Sequence, residues 1–388
     1  MSDHQFRDRA AIVGVGATPY SKNSGVSTLT MALRAISAAV EDAGLTLDDI
    51  DGVACHRVND SAPASIVAES IGKQDLHFFL DQFGGGSTSH AIVGAAAMAV
   101  ATGQAECVVC WRSVNARSEF RMGGTGRPPP DQLEFQYQFP YGYAHPPQQF
   151  AMIASEYMTN YGATSEDFGA VAIAQRWYAE RNERALMRTP LTMEDYLASR
   201  WIVEPLRLFD CCLETDAGIA VVITSAERAR DLRQAPVTIS GAMWGSGHTL
   251  FSNRRPDLAI SGSAAASPRL WAQAGLGPGE IDVAEIYDAF TPLVLIQMED
   301  YGFCKKGEAG SFVRAGETGL GGSLPVNTHG GHLSEGYVHG LNHCVEAVHQ
   351  LRHECGDRQV EGAEVALSTG QGGYVMGNSS AVVLRRAP

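Results

Sequence analysis

Two segments of this chain match without gaps at a single offset. AIVGVGATP, from Ala11, lies over AMWGSGHTL, from Ala242, so Ala11/Ala242, Gly14/Gly245, Gly16/Gly247 and Thr18/Thr249 all stand 231 residues apart. At the same offset, AGLTLDDIDGVACH from Ala43 lies over AGLGPGEIDVAEIY from Ala274. One constant offset over two blocks marks an internal duplication. The chain is therefore expected to fold as two similar halves, 1–235 and 236–388, each opening strand–loop–helix–strand.

Apolar patterning fills in the halves. Residues 10–15 and 237–241 read as buried strands, and 52–55 and 283–287 as the strands that follow. Residues 28–43 and 258–274 carry helical spacing, and each ends at Ala-Gly-Leu with glycine as the stop signal. After Gly84–Gly86, residues 87–102 are apolar almost all round, which predicts a buried helix, with a strand at 106–111. The second half offers a helix over 340–354 and strands at 365–368 and 381–384. Helices alternating with buried strands argue an α/β layered fold. An insertion, about 113–200, breaks the symmetry. Its RPPPDQ and EFQYQFPYGYAHPP runs predict an aromatic loop, either a lid packed on itself or the wall of an apolar pocket.

The net charge of −14 and the lack of any Lys/Arg-rich run argue against a nucleic-acid-binding face. No apolar run reaches the ~18 residues of a membrane span, and no signal-peptide pattern opens the sequence. The eight cysteines show neither metal-ligand nor disulfide spacing. Cys107-x-x-Cys110 lies in the apolar run ECVVCW, so the expectation is reduced structural thiols in a cytoplasmic protein.

The chemistry concentrates in the second half. NTHGGHLSEGYVHGLNH, 327–343, packs four histidines, a tyrosine and four glycines into seventeen residues. Tyr337 precedes the 340–354 helix, whose free N–H groups would favour an anion. Tyr287 ends a strand in EIYDAFTPL, a position where α/β proteins commonly build sites. Either tyrosine could equally be a core residue with a satisfied hydroxyl. His339 and His343 have the i, i+4 spacing that can share a metal, but no glutamate completes an H-E-x-x-H motif, and no metal is expected.

NTHGGHLSEGYVHG resembles the glycine–histidine loop of sterol-carrier-protein-type thiolases, which runs N-x-x-G-G and then G-H-P with a catalytic histidine. EIYDAF resembles that family's H-D-C-F strand end, and PLRLFDCCLETDAGIA (205–220) its P-L-x-x-x-D-C-C segment. AGLTLDDIDGV is similar to the N-terminal thiolase pattern. The resemblance covers nearly the whole chain. It implies the five-layered αβαβα thiolase fold, two duplicated halves and a tight homodimer.

The departures are chemical. Thiolases carry a nucleophilic cysteine before the first buried helix; here that loop reads DQFGGGST, 81–88, and the position falls on Phe83 or Gly84. The H-D-C-F histidine is Tyr287, the G-H-P histidine is Tyr337, and the last loop, STGQGGY (368–374), has no cysteine. Without a thiolate the usual acyl-enzyme route is closed. Retro-aldol cleavage of a β-hydroxyacyl-CoA needs acid–base chemistry and no nucleophile. A phenol used as base would need local stabilisation of its anion.

The pattern resembles the steroid side-chain-cleaving aldolases of the thiolase superfamily, in which two tyrosines replace the histidines. That resemblance implies a 17-hydroxy-20-carboxyl-CoA steroid as substrate and a 17-keto steroid and propionyl-CoA as products, with no cofactor. It also implies a partner, an OB-fold domain linked to a MaoC-like enoyl-CoA hydratase. Tyr287 and Tyr337 are the expected acid/base pair. Asn327, His332 and His339 are expected orienters, and Gly372 and Gly373 backbone donors. Two alternatives stand beside it: a noncatalytic sterol or acyl-CoA carrier, and a thiolase with a displaced nucleophile such as Cys344.

Overall fold

The computed structural model describes residues 6–119, 136, 139–143, 145–247, 255–373 and 376–387. Its strands are β1 (Ala10–Ala17), β2 (Gly52–Arg57), β3 (Phe78–Phe83), β4 (Cys107–Asn115), β5 (Trp201–Val203), β6 (Leu206–Arg207), β7 (Asp216–Ser225), β8 (Val237–Ser246), β9 (Val283–Glu285), β10 (Val365–Gly373) and β11 (Asn378–Arg386). Nine form one sheet in the order β3-β2-β4-β7-β1-β8-β11-β10-β9, and β5 pairs with β6 apart from it. β1 and β8 sit side by side at the centre. Outward from them, β7, β4 and β2 on one side answer β11, β10 and β9 on the other. The seam is thin: β1 and β8 share only the pairs Ala11↔Thr238 and Ile12↔Val237.

The central strands are buried on both faces. In β1, Ala10 and Ile12 face one core, while Ala11 and Val13 face another. This is the period-two alternation of a strand covered on both sides. The middle core holds helix Ser89–Ala101 and helix Leu341–Arg352, each packed against strands of both halves. Helix Thr28–Asp42 covers β1, β4 and β7 from outside, and helix Gly262–Ala274 covers β8 and β11. The result is five layers, αβαβα. Among the described residues, no helix is long and apolar enough to cross a membrane.

The repeated elements have repeated causes. Ser27 and Ser261 cap the two outer helices with their hydroxyls, and Gly44 (φ 72°) and Gly275 (φ 68°) stop them in the left-handed region. Helix 262–274 starts later than the spacing suggested because Ser261 is its cap, itself tied to Asp300. β9 stops at Glu285 rather than 287 because a side chain, that of Asn327, takes both backbone groups of Ile286.

The insertion is more ordered than its composition suggested. Helices Pro146–Tyr161, Ser165–Glu180 and Met193–Ala198 lie between β4 and β7. Most of the expected aromatic loop, including residues 131–135, 137–138 and 144, falls outside the described residues.

Candidate active site

The Tyr287 and Tyr337 hydroxyls lie 2.8 Å apart, fifty residues from each other in sequence and both buried. Several local devices put them there. The Asn327 side chain accepts from the Ile286 N–H at 2.6 Å and donates to its carbonyl at 2.8 Å. The Tyr287 N–H donates to Thr369 Oγ1 at 2.9 Å, and its carbonyl accepts from Gln297 Nε2 at 2.6 Å. Tyr337 is pinned by one threonine: its N–H donates to Thr215 Oγ1 at 2.9 Å, and the same hydroxyl donates to its carbonyl at 2.8 Å. A Cβ on Gly86 would strike the Tyr287 ring, so the glycine of that loop is a steric requirement.

His332 lies beneath both phenols. Its ring meets Tyr287 edge-on at 4.9 Å between centroids and Tyr337 at 4.8 Å. Its Nε2 bonds Asn342 Oδ1 at 3.1 Å, and its Nδ1 lies 3.0 Å from Asp288 Oδ1. Burial alone would raise the Asp288 carboxyl, but His332 and His343 together hold it well below the usual carboxylate range. Behind Asp288 the polar layer continues. His343 Nδ1 lies 3.0 Å from His329 Nε2, and His329 Nδ1 lies 2.9 Å from Glu285. Burial opposes protonation of His329, yet Glu335 and Glu285 outweigh it and bring its pKa up to about 9.

His339 faces the other way. Its Nδ1 lies 3.1 Å from Arg112 Nε and 2.8 Å from Arg112 Nη2, and Arg112 is itself held by Asp60. His339 (φ 55°) and Gly340 (φ 98°) precede the helix, so the His339/His343 spacing does not fall on one helical face. The pair therefore does not converge on a metal. Ligand atoms of Glu285, His329 and His343, and of Asp288, His332 and His343, do lie within 4.8 Å of one another. Imidazole–carboxylate separations there are 2.9–3.1 Å, as in ion pairs.

Tyr287, Tyr337, His339, Gly85, Gly86 and Gly372 line a cavity of about 630 Å³. That volume is in the range of small-molecule sites, ~300–1,000 Å³. Its walls are apolar, with Phe150, Ile202, Phe209, Phe290 and Leu333. Pro146, Pro147 and Phe150 come from the insertion, so this part of it does form a wall. Lys22, Arg117 and Arg200 also line the cavity, a local cationic set on a chain of net charge −14.

Burial pushes both phenols well above the ordinary phenol value. Arg112 pulls the other way in each case without overcoming it. Both phenols are therefore held neutral. Of the remaining expected residues, Asn327 and His332 act on the tyrosines without lining the cavity, and Gly373 pairs with Asn378 beyond a β10 bulge.

Sequence reasoning missed the Cys211–Cys212 pair as cavity lining and Arg112 as the buried cation bonded to His339. The D-C-C segment and an arginine ending ECVVCWR were the available signals. The thiols are poor nucleophiles here: burial pushes Cys211 up to about 12 and Cys212 well above its ordinary value. Cys344 is fully buried, also raised to about 12 by burial, and does not line the cavity.

Residues 245–386 match the family model described as thiolase C-terminal domain-like. The chain is 46% identical over 354 residues to the 17-hydroxy-3-oxo-4-pregnene-20-carboxyl-CoA lyase of Mycobacterium tuberculosis, covering 89% of this chain and 92% of that protein. It is 45% identical over 373 residues to the steroid side-chain-cleaving aldolase of Thermomonospora curvata, covering 94% of this chain and 95% of that one. The chain belongs to the steroid side-chain-cleaving aldolases of the thiolase superfamily. Among solved structures, the Ltp2-ChsH2(DUF35) aldolase is 43% identical to this aldolase-family chain, with a TM-score of 0.92 over 98% of each chain.

Proposed function

We propose that this chain is a retro-aldol lyase acting on a β-hydroxyacyl-CoA steroid of the 17-hydroxy-20-carboxyl-CoA type. The products are a 17-keto steroid and propionyl-CoA. The observation that carries the reading is the 2.8 Å contact between two neutral phenols that line an apolar cavity.

That contact removes the need for a standing phenolate. One tyrosine accepts the proton of the substrate β-hydroxyl while passing its own to the other. The second tyrosine delivers its proton to Cα. The β-carbon becomes a ketone, the Cα–Cβ bond breaks with its electron pair going to Cα, and both phenols end neutral. Because either hydroxyl can donate in the resting pair, the geometry is compatible with the relay in either direction. The apolar walls suit a steroid nucleus, and Lys22, Arg117 and Arg200 suit the phosphates of a CoA thioester. The reaction uses no cofactor and no cysteine.

The solved Ltp2-ChsH2(DUF35) aldolase supports a DUF35-type partner for the working form, and the homodimer and the partner's OB-fold are what the resemblance implies. A MaoC-like hydratase linked to it would add water across the enoyl-CoA and so make the β-hydroxy substrate.

Product analysis tests the reading. The protein, alone and with a co-expressed partner, is incubated with a 17-hydroxy-20-carboxyl-CoA steroid and assayed for ketone and propionyl-CoA. Release that disappears in Tyr287→Phe and Tyr337→Phe supports the lyase. Binding without turnover in all three proteins, even with the partner, would make the chain a carrier.

A further inference from the structure

Breaking the Cα–Cβ bond leaves a thioester enolate, whose oxygen carries most of the new charge. The tyrosine pair serves the β-hydroxyl and Cα, so a separate donor must face the thioester oxygen. We propose that the Nε2–H of His339 is that donor, a catalytic oxyanion contact, and that Arg112 and Asp60 are positioning residues that fix its tautomer. This rests on the lyase reading for the identity of the thioester, but the donor itself follows from the hydrogen bonds.

Two guanidinium N–H groups of Arg112, Nε at 3.1 Å and Nη2 at 2.8 Å, converge on His339 Nδ1. Arg112 has only donors, so Nδ1 is an acceptor and carries no proton. The neutral ring must then be protonated at Nε2. Burial and the adjacent Arg112 charge both hold His339 well below the ordinary histidine pKa, so the ring stays neutral. Arg112 is fully buried and has no freedom to turn away: Nη2 also binds Asp60 Oδ2, and Nη1 donates to the Ser113 carbonyl at 3.0 Å.

The Nε2–H so created has no partner. His339 Nε2 is buried and unpaired in the protein, which is costly for a donor unless a ligand completes it. It faces the right place. A Cβ on Gly85 would sit 3.6 Å from this nitrogen, and Gly85, Gly86, Tyr337 and His339 all line the cavity. The His339 and Tyr337 rings are 4.9 Å apart. A thioester whose Cα faces the phenol pair therefore presents its oxygen beside His339.

The neighbouring His56 is no substitute. Its Nδ1 bonds the Gly84 carbonyl at 3.1 Å, which requires the proton on Nδ1 and leaves Nε2 a bare acceptor. Burial and Arg112 keep it neutral, with a pKa down to about 3. The two histidines thus hold opposite tautomers 6.0 Å apart, and only His339 offers a donor to the cavity.

The test uses the protein with its co-expressed partner and two readouts: ketone release from the steroid thioester, and deuterium uptake at Cα of propionyl-CoA in D₂O. His339→Leu removes the donor. His339→Gln can still accept from Arg112 and donate into the cavity. The expected result is a loss of roughly 10²–10³-fold in kcat and in exchange for the Leu variant, little change in KM, and partial recovery in the Gln variant. Imidazole ¹⁵N shifts of the unliganded wild type are expected to report Nε2–H, and Arg112→Met to mix the tautomers.

A Leu variant that exchanges and cleaves like the wild type overturns the oxyanion role and leaves the lyase reading standing. A wild type that exchanges but never cleaves, with exchange lost in the Leu variant, sinks the lyase reading and keeps the donor. An Nδ1–H tautomer in the wild type overturns the donor even if a variant fails to fold. A wild type that neither cleaves nor exchanges overturns both.

Discussion

The Asn327 side-chain amide spans the backbone of Ile286, closing both its N–H (2.6 Å) and its carbonyl (2.8 Å). This is how a loop forty residues downstream sets the angle at which Tyr287 leaves β9. Asn327→Ala leaves both buried backbone groups unpaired and puts alanine at φ 54°, a conformation asparagine tolerates better. The expected cost is about 2–5 kcal/mol in stability. Among molecules still folded, kcat falls more than KM rises. Denaturant melts and steady-state kinetics of the same preparation read both.

In the proposed relay the phenol pair acts as one unit. Tyr287→Phe and Tyr337→Phe each interrupt the same proton relay, so each is expected to lower kcat by ~10²–10⁴-fold. The double variant is expected to lose hardly more than the worse single, because the second change removes a relay already broken. Equal and additive losses in the double would show two independent roles.

Stability is expected to fall on the alkaline side through His329. Its folded pKa of about 9 lies above the ordinary histidine value of ~6.5, so the protonated ring's contribution is complete below about pH 6.5. It is lost as pH rises through about 9. The contribution is at most about 3–4 kcal/mol, one pKa unit being ~1.4 kcal/mol. Urea melts from pH 6 to 9.5 are expected to show this decline, and His329→Gln to flatten it.

The two copies of the G-x-G strand are predicted to differ in tolerance. A Cβ on Gly14 would collide with the Ala39 carbonyl of the covering helix, whereas one on Gly245 would meet the Ala266 Cβ at 3.5 Å, an ordinary contact. Gly14→Ala is therefore expected to cost ~1–3 kcal/mol or more, and Gly245→Ala under about 1 kcal/mol. Equal melting shifts would refute the asymmetry.

Legibility in the sequence tracked the locality of the cause. The duplicated openings were readable because apolar strand, cap and stop glycine follow one another at intervals of roughly ten to seventeen residues. Tyr287 and Tyr337 were readable because each sits in its own motif. The Arg112–His339 contact spans 227 positions, and nothing near either residue points to the other. The helices Pro146–Tyr161 and Ser165–Glu180 were missed because the proline and aromatic runs before them dominated the reading of 113–200. β3 was missed for a different reason: its residues FFLDQF are half-buried or exposed at the sheet edge and do not form a closed apolar run.

At the offset of 231 residues, Tyr287 answers to His56. β2 and β9 lie on opposite sides of the β1–β8 seam, yet the His339 ring lies 6.0 Å from that of His56 and 4.9 Å from that of Tyr337, the phenol bonded to Tyr287. A fold made of two copies thus holds two versions of one position near His339, of which Tyr287 alone lines the cavity. One could remain scaffold while the other was free to change its chemistry, and neither half alone would contain a working site.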